Sequence, residues 1–306
     1  EIAKHLTAVI ERHGGKVLVR APVEEILVEN NMVMGVRIEK GPSVFAPIVV
    51  SACGTMNTFG KLLPESNPVR QQFAPLLKQL EPSVQHACLF LGLKGTREEL
   101  GLDSFNLWVY PNNEVEDEQK KYEQDPLNYE GMCFISFPSA KDPTYESRHP
   151  GKSTAVVVQQ ADFHSWKKWE SNRVKKRGVD YEEQKKKLTE SMRRQVERFF
   201  PQVADKIEYV DASTPVTSKY YLGAQFGESY GLAMSKERFD QPWLKAQTPI
   251  RGLFLAGQDV TSAGFAPSLM SSLLTTSAVL EENIVLALLE KKRTVTAQIK
   301  KTKKSC

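Results

Sequence analysis

The sequence predicts an α/β protein with short parallel-type strands near both ends of the chain and a mixed α+β block between them. Three observations carry that prediction. A β-branched run at residues 48–52 (IVVSA) closes on Gly54, and an apolar run at residues 253–256 lies between Gly252 and Gly257. Short buried runs that end at a glycine suit parallel strands offering their C-terminal ends to a ligand. Between them, alternating strand patterns and amphipathic helices mix, as an α+β block requires.

The elements follow in order. Ile2, Leu6, Val9 and Ile10 share one helical face, which stops at Gly14-Gly15. Residues 16–20 read as a short strand. Residues 23–29 and 32–39 read as a hairpin about Asn30-Asn31, a pair that accepts the positive φ of a tight turn. Gly41-Pro42 turns the chain into the strand at 48–52, which completes a first sheet segment over residues 1–55.

From residue 56 to 235 the character changes. Residues 70–80 form an amphipathic helix stopped by Pro82, and residues 84–93, 105–110, 132–137 and 154–160 read as four strands. Residues 114–129 are charged and almost free of apolar side chains, which predicts a solvated loop or lid. Helices follow at 163–169 and 181–200, the second with Leu188, Met192, Val196 and Phe199 at helical spacing and Pro201 as its stop. The strand aromatics Phe90, Phe105, Trp108, Tyr110, Phe134 and Phe137 are core by default, with one or two lining a pocket. Gly223, Gly227 and Gly231, interleaved with Phe226 and Tyr230, either let backbone approach a large flat ligand or simply make turns. Residues 236–290 carry the second glycine-bounded buried run, and 291–306 form a basic tail.

A chain of 306 residues with 41% hydrophobic and 25% charged residues has room for about two globular domains. The net charge of +4 is uneven: residues 291–306 hold seven Lys or Arg and no acid, so the body before them carries −3. A mildly acidic body argues against nucleic acid, and a short basic tail suits an anionic membrane surface or a receptor-read address. Cys53, Cys88, Cys133 and Cys306 are widely spaced with no CxxC, so neither a zinc site nor a disulfide framework is indicated. The uncharged stretch at 260–280 holds eight Ser or Thr with Gly264 and Pro267, which is too polar for a membrane span. Glu1 is not a Met and no leader-like segment follows, so the chain reads as a piece of a longer protein.

Residues 248–280 carry the clearest chemistry. A strand delivers Gly257 and Asp259 to the mouth of a helix, where unpaired backbone N–H groups favour an electron-rich partner, either a phosphate or the edge of a heterocycle.

Set side by side, GGKVLVRAPVEEILVENNMVMGVRIEKG with IVVSACG and GLFLAGQDVTSAGFAP resemble the split flavin-binding domain of the glutathione-reductase-type FAD oxidoreductases. Within that group the chain is most similar to the phytoene desaturase and carotenoid isomerase branch. The interior segments FPSAKDPTYESRHPGKSTAVVV and TPVTSKYYLGAQFGESYG are similar to the branch's substrate-domain signatures, so the resemblance covers nearly the whole chain. It implies a partial Rossmann-like FAD-binding domain with an inserted α+β substrate domain. It further implies FAD as cofactor, NAD or NADP as electron donor, and a retinol- or carotenoid-like apolar substrate whose conjugated double bond is saturated. Peripheral attachment to the endoplasmic reticulum membrane is implied as well, and the tail end Lys303-Lys304-Ser305-Cys306 resembles a dilysine retrieval signal.

The resemblance also places residues. Val23 would give a backbone contact to adenine and Ala52 would lie near the adenosine. Gly257, Gln258 and Asp259 would take the phosphate–ribityl region. Gly264 with Ala266, Pro267, Ser268 and Leu269 would present backbone N–H groups to the flavin N1–C2=O edge. Tyr230 and Glu228 are candidates for the proton donor, with neither assigned. The dinucleotide motif G-x-G-x-x-G is absent from these residues, so the chain alone is expected to hold FAD weakly or not at all. Two alternatives stay open: a non-catalytic relative that binds lipid or protein, and an amine oxidase with Tyr220, Tyr221 and Tyr230 as an aromatic cage.

Overall fold

The computed structural model describes residues 2–302, with side chains described over 2–293. Its strands are β1 (Val23–Glu29), β2 (Met32–Ile38), β3 (Ser43–Phe45), β4 (Val49–Ser51), β5 (His86–Lys94), β6 (Asn106–Val109), β7 (Cys133–Ser136), β8 (Lys152–Gln160), β9 (Ile207–Ser213) and β10 (Leu253–Leu255). The helices of eight or more residues are α1 (Ile2–Arg12), α2 (Pro68–Leu77), α3 (Val115–Gln124), α4 (Val179–Phe199), α5 (Pro215–Leu222), α6 (Phe265–Leu280) and α7 (Ile284–Thr302). The chain divides into two compact units: residues up to Glu81 together with those from Met234 onward, and Pro82–Ala233.

In the first unit β1, β2 and β3 form an antiparallel meander, with Asn30 and Asn31 at φ 49° and 57° in its first turn. β10 pairs with β4 in parallel, Leu253 opposite Val49 and Leu255 opposite Ser51. This pairing puts the C-terminal ends of both strands side by side, each followed by a glycine-bearing loop. Gly252 is required just before β10: its φ is +78°, and a Cβ there would stand 2.3 Å from the Pro47 carbonyl oxygen.

The meander and the strand pair share a core with residues 56–81, which the sequence assigns to the middle block. Phe59, Leu63, Phe73 and Leu77 are buried with Ile26, Val33, Ile250 and Leu253 in one apolar cluster. The Phe73 ring lies 4.7 Å from both Phe59 and Trp243. Asn67 starts α2 by accepting the Val69 and Arg70 N–H groups, with Pro68 at the first helical position, where no N–H is needed. Residues 16–20 form no strand: they have no pairing partner among the described residues, and Val19 is 82% exposed.

The second unit is built on a five-stranded antiparallel sheet in the order β6-β7-β8-β5-β9. Along β5, Ala87, Leu89, Leu91 and Leu93 alternate inward and are almost completely buried with Leu188, Met192 and Val196 of α4. Burying the Leu, Met and Val side chains stabilises by roughly 1.5–3 kcal/mol each, which makes this face the main anchor of the unit. β9 is a fifth strand beyond the four that the pattern predicts. As an edge strand it leaves Tyr209 and Val210 exposed, so its sequence lacks a clean alternation.

Residues 114–129 hold the helix α3 in place of the predicted solvated loop. Asp117 and Glu118 sit in the first turn and pair with Lys120 and Lys121 one turn on. Glu118 is buried and accepts hydrogen bonds from Asn112, Lys121 and the Tyr129 hydroxyl. α7 runs into the basic segment as far as Thr302, while Lys303-Lys304-Ser305-Cys306 lies outside the described residues. Among the described residues no single helix is long and apolar enough to cross a membrane; α6 and Ile284–Arg293 together meet the length and composition but are bent by 111°.

Candidate functional site

Two features stand out, one in each unit. In the first, the loops after β4 and β10 meet the N-terminus of α6. The helix docks on its strand through hydroxyls: Thr275 Oγ1 donates to the Leu255 carbonyl at 2.7 Å, and Ser271 Oγ accepts the Gly257 N–H at 2.7 Å. Ser271 and Thr275 are the buried residues of α6, whereas Phe265, Leu269, Met270 and Leu274 are exposed. The usual amphipathic arrangement is therefore inverted, because the buried contact is to strand backbone, which needs donors and acceptors.

Asp259 is buried and its Oδ2 accepts the Thr55 N–H at 2.7 Å, tying the loop after β10 to the segment after β4. Arg238, also buried, donates through Nη2 to the Gln258 carbonyl at 2.5 Å and reaches the Thr261 carbonyl at 3.4 Å. Burial pulls the Arg238 guanidinium below its ordinary value, and the Asp259 charge works against that by favouring the cation. Gly264, the residue before α6, has φ +104° with open space where a Cβ would stand.

The structure brings together most of the residues singled out by sequence and reassigns what several can do. Ala52, Gly257, Gln258 and Asp259 gather where β4 and β10 end; Ala52 is exposed, and its carbonyl oxygen lies 3.8 Å from the Cβ position of Gly257. Val23 stands apart at the start of β1, in the meander sheet. Gly257 spends its N–H on Ser271, and the Asp259 carboxylate is used inside the protein. Pro267 has no N–H, the Ser268 N–H is bonded to the Gly264 carbonyl at 3.1 Å, and Leu269 lies within the helix. The donors at the mouth of α6 are instead the Phe265 and Ala266 N–H groups, which have no acceptor within the helix. Local pattern hides Arg238, whose segment SKERF reads as surface. Ser271 and Thr275 were legible in principle as an i, i+4 polar stripe on an uncharged helix.

These residues fit one part of a flavin nucleotide. Exposed N–H donors at a helix mouth and an open glycine suit an uncharged ring edge that carries partial negative charge, and the charged side chains nearby, Asp259 and Arg238, are engaged with protein groups.

In the second unit a cavity of about 400 Å³ lies on the outer face of the sheet. Trp108, Phe134, Val158 and Cys88 stand in register across β6, β7, β8 and β5 and so share that face. Two residues further along, and so on the same face, His86 pairs with Gln160. His86 Nδ1 lies 2.8 Å from Ser229 Oγ, and Tyr230 meets the imidazole edge-on at 6.1 Å. Burial holds the His86 imidazole below its ordinary value. Glu228 accepts the Phe226 N–H at 2.8 Å and braces its turn, while Tyr230 lines the cavity. Gly227 makes a turn against protein, since a Cβ there would stand 2.3 Å from the Pro215 carbonyl oxygen.

Residues 1–280 match the family described as flavin containing amine oxidoreductase. The chain belongs to this family. All-trans-retinol 13,14-reductase of Danio rerio is 38% identical over 93% of this chain and 49% of its own length. A second Danio rerio protein, named inactive all-trans-retinol 13,14-reductase, is 33% identical over 98% of the chain and 52% of its own length. Prolycopene isomerase of Daucus carota is 25% identical over 75% of the chain and 34% of its own length, in keeping with the carotenoid branch. The chain thus spans about half the length of the retinol reductase relatives it matches. Among solved structures, an oxidoreductase from Methanosarcina mazei is 18% identical with a TM-score of 0.51, covering 91% of this chain and 53% of that one. A putrescine oxidase variant is 11% identical with a TM-score of 0.54, covering 89% and 51%. These likenesses establish the fold class expected from the sequence, a Rossmann-like flavoprotein fold.

Proposed function

We propose that the protein reduces a conjugated double bond of a retinoid with FAD, converting all-trans-retinol to 13,14-dihydroretinol. The observation that carries this reading is the 38% identity, over nearly the whole chain, to a protein named for that reaction. Bound FAD supplies the two-electron reduction, and NAD or NADP is proposed as the source of its electrons.

The chain's own residues set the conditions. The Phe265 and Ala266 N–H groups would receive the electron-rich edge of the ring, and Val23 and Ala52 would lie toward the adenosine. Asp259, Arg238 and Ser271 act one step back, holding the loops that shape the mouth. On the second unit, the apolar row over the sheet would take a polyene out of water. Peripheral attachment at the endoplasmic reticulum membrane is part of the proposal. It is supported by the exposed Leu286, Leu288 and Leu289 on α7, followed after Glu290 by Lys291, Lys292 and Arg293.

The test is spectroscopic. The full-length protein should be yellow, and after anaerobic reduction with dithionite it should be reoxidised by all-trans-retinol. A second reading, a non-catalytic relative of the same fold, is favoured by the similarity to the inactive zebrafish protein. It predicts a protein whose reduced flavin ignores retinol, or one with no flavin. Anaerobic bleaching of the oxidised flavin by amines, with retinol ignored by the reduced flavin, would instead point to an amine oxidase.

A further inference from the structure

The cavity on the outer face of the sheet is chemically polarised. One end holds Trp108 and Phe134 on β6 and β7, and the other holds His86 on β5 beside Gln160, with Ser229 and Tyr230 from the glycine-spaced run. From β5 to β6 is three strand spacings, a span of roughly 14 Å. That length suits an extended apolar body with one oxygen-bearing end.

We propose that the His86–Ser229 pair binds the terminal hydroxyl of a polyene alcohol and selects it over a polyene hydrocarbon. This rests on the reading of the second unit as the retinoid-binding part. The pairing with Ser229 fixes His86 Nδ1, and Nε2 has no partner among the described residues. Whichever way the Nδ1 hydrogen bond runs, the other ring nitrogen of a neutral imidazole can exchange a hydrogen bond with a hydroxyl, donating to it or accepting from it. Edge-on contact with Tyr230 holds the ring plane, so the imidazole is preset. A hydrocarbon carotenoid placed in the same groove would leave His86 Nε2 and the Gln160 side chain without water and without a ligand hydroxyl, an arrangement the site disfavours.

The experiment measures binding rather than turnover. The full-length protein is titrated with all-trans-retinol, and separately with the hydrocarbon of the same polyene length that lacks the hydroxyl. Quenching of tryptophan emission is the readout, with Trp108 in the groove as the nearest donor. His86→Phe should weaken retinol binding roughly tenfold, the loss expected for one good hydrogen bond, and leave hydrocarbon affinity within about twofold. Ser229→Ala should weaken retinol by roughly threefold, and His86→Gln should recover part of the His86→Phe loss. Hydrocarbon affinity doubles as the folding control in each variant. Equal loss of both ligands, or no loss of either, overturns the proposal while retinol binding by the unaltered protein leaves the functional reading standing. Failure of the unaltered protein to bind either polyene overturns both.

Discussion

Replacing Arg238 with Met tests whether the loop after β10 is held by a buried cation. Arg238 as a residue is 3% exposed, and its Nη2 serves the Gln258 carbonyl at 2.5 Å and the Thr261 carbonyl at 3.4 Å. Met fills similar volume but donates nothing, so two part-buried carbonyl oxygens lose a charged donor and the buried Asp259 loses a nearby positive charge. Removing one partner from a fully buried charge arrangement costs about 3–5 kcal/mol, and the part-buried acceptors place the cost here at or below the lower end of that range. We expect the first unit to lose about that amount, read as the free energy of opening β10 amides in urea by hydrogen exchange and mass spectrometry. Arg238→Lys should recover only part, because an ammonium cannot reproduce the fork that spans two carbonyls. A Met variant within about 0.5 kcal/mol of the unaltered protein, the range of ordinary surface substitutions, would refute the reasoning.

Gly252→Ala should destabilise the first unit by about 2–4 kcal/mol, because positive φ and a clash with the Pro47 carbonyl act together. Gly151→Ala, also at positive φ but in open space, should cost only about 1–2 kcal/mol; equal urea midpoints for the two would remove the steric half of the argument. Burial pushes the Cys133 thiol up to about 11, so at pH 8 about one molecule in a thousand carries the thiolate. Iodoacetamide should therefore label exposed Cys53 long before buried Cys133, and peptide mass spectrometry showing the reverse order would contradict the burial assigned to β7. Because His86 titrates below its ordinary value in the folded state, the unfolded chain takes up the proton first. Its contribution is thus intact above the ordinary value of 6.5 and is lost as pH falls through the folded value. Acidification across that window should lower the unfolding midpoint of the unaltered protein more than that of His86→Phe.

How much of this was legible in the sequence depended on what kind of contact carried it. Backbone punctuation was read well: Asn30-Asn31 marks the hairpin, and Gly252 and Gly257 bracket β10, because positive φ restricts residue choice locally. Strands with a buried face, such as β5 and β8, announced themselves by alternation. The edge strand β9 and the charged helix α3 did not, since one leaves most side chains in water and the other is anchored by Glu118 and Tyr122 in a polar setting. Site composition was visible but site roles were not. Which N–H groups at the mouth of α6 are available depends on Ser271 and on the Gly264 carbonyl, contacts that periodicity does not encode. The His86–Ser229 pair joins residues 143 apart, so nothing short of the fold brings it into view.

The pairing of β4 with β10 has a consequence for how the protein is made. Val49 and Leu253 lie side by side, yet the whole of Pro82–Ala233 is synthesised between them. At typical ribosome speeds that delay is roughly 10–40 s, ample time for the second unit to fold, since it is continuous in sequence. The first unit has no such freedom. Until Leu255 emerges, β4 waits with an open edge and Ile26, Phe59 and Phe73 lack Leu253 and Ile250 to close over them. A chain arrested in that interval would carry a finished insertion on an unfinished host. Such a nascent chain is the form in which exposed strand edges and apolar surface invite chaperone binding.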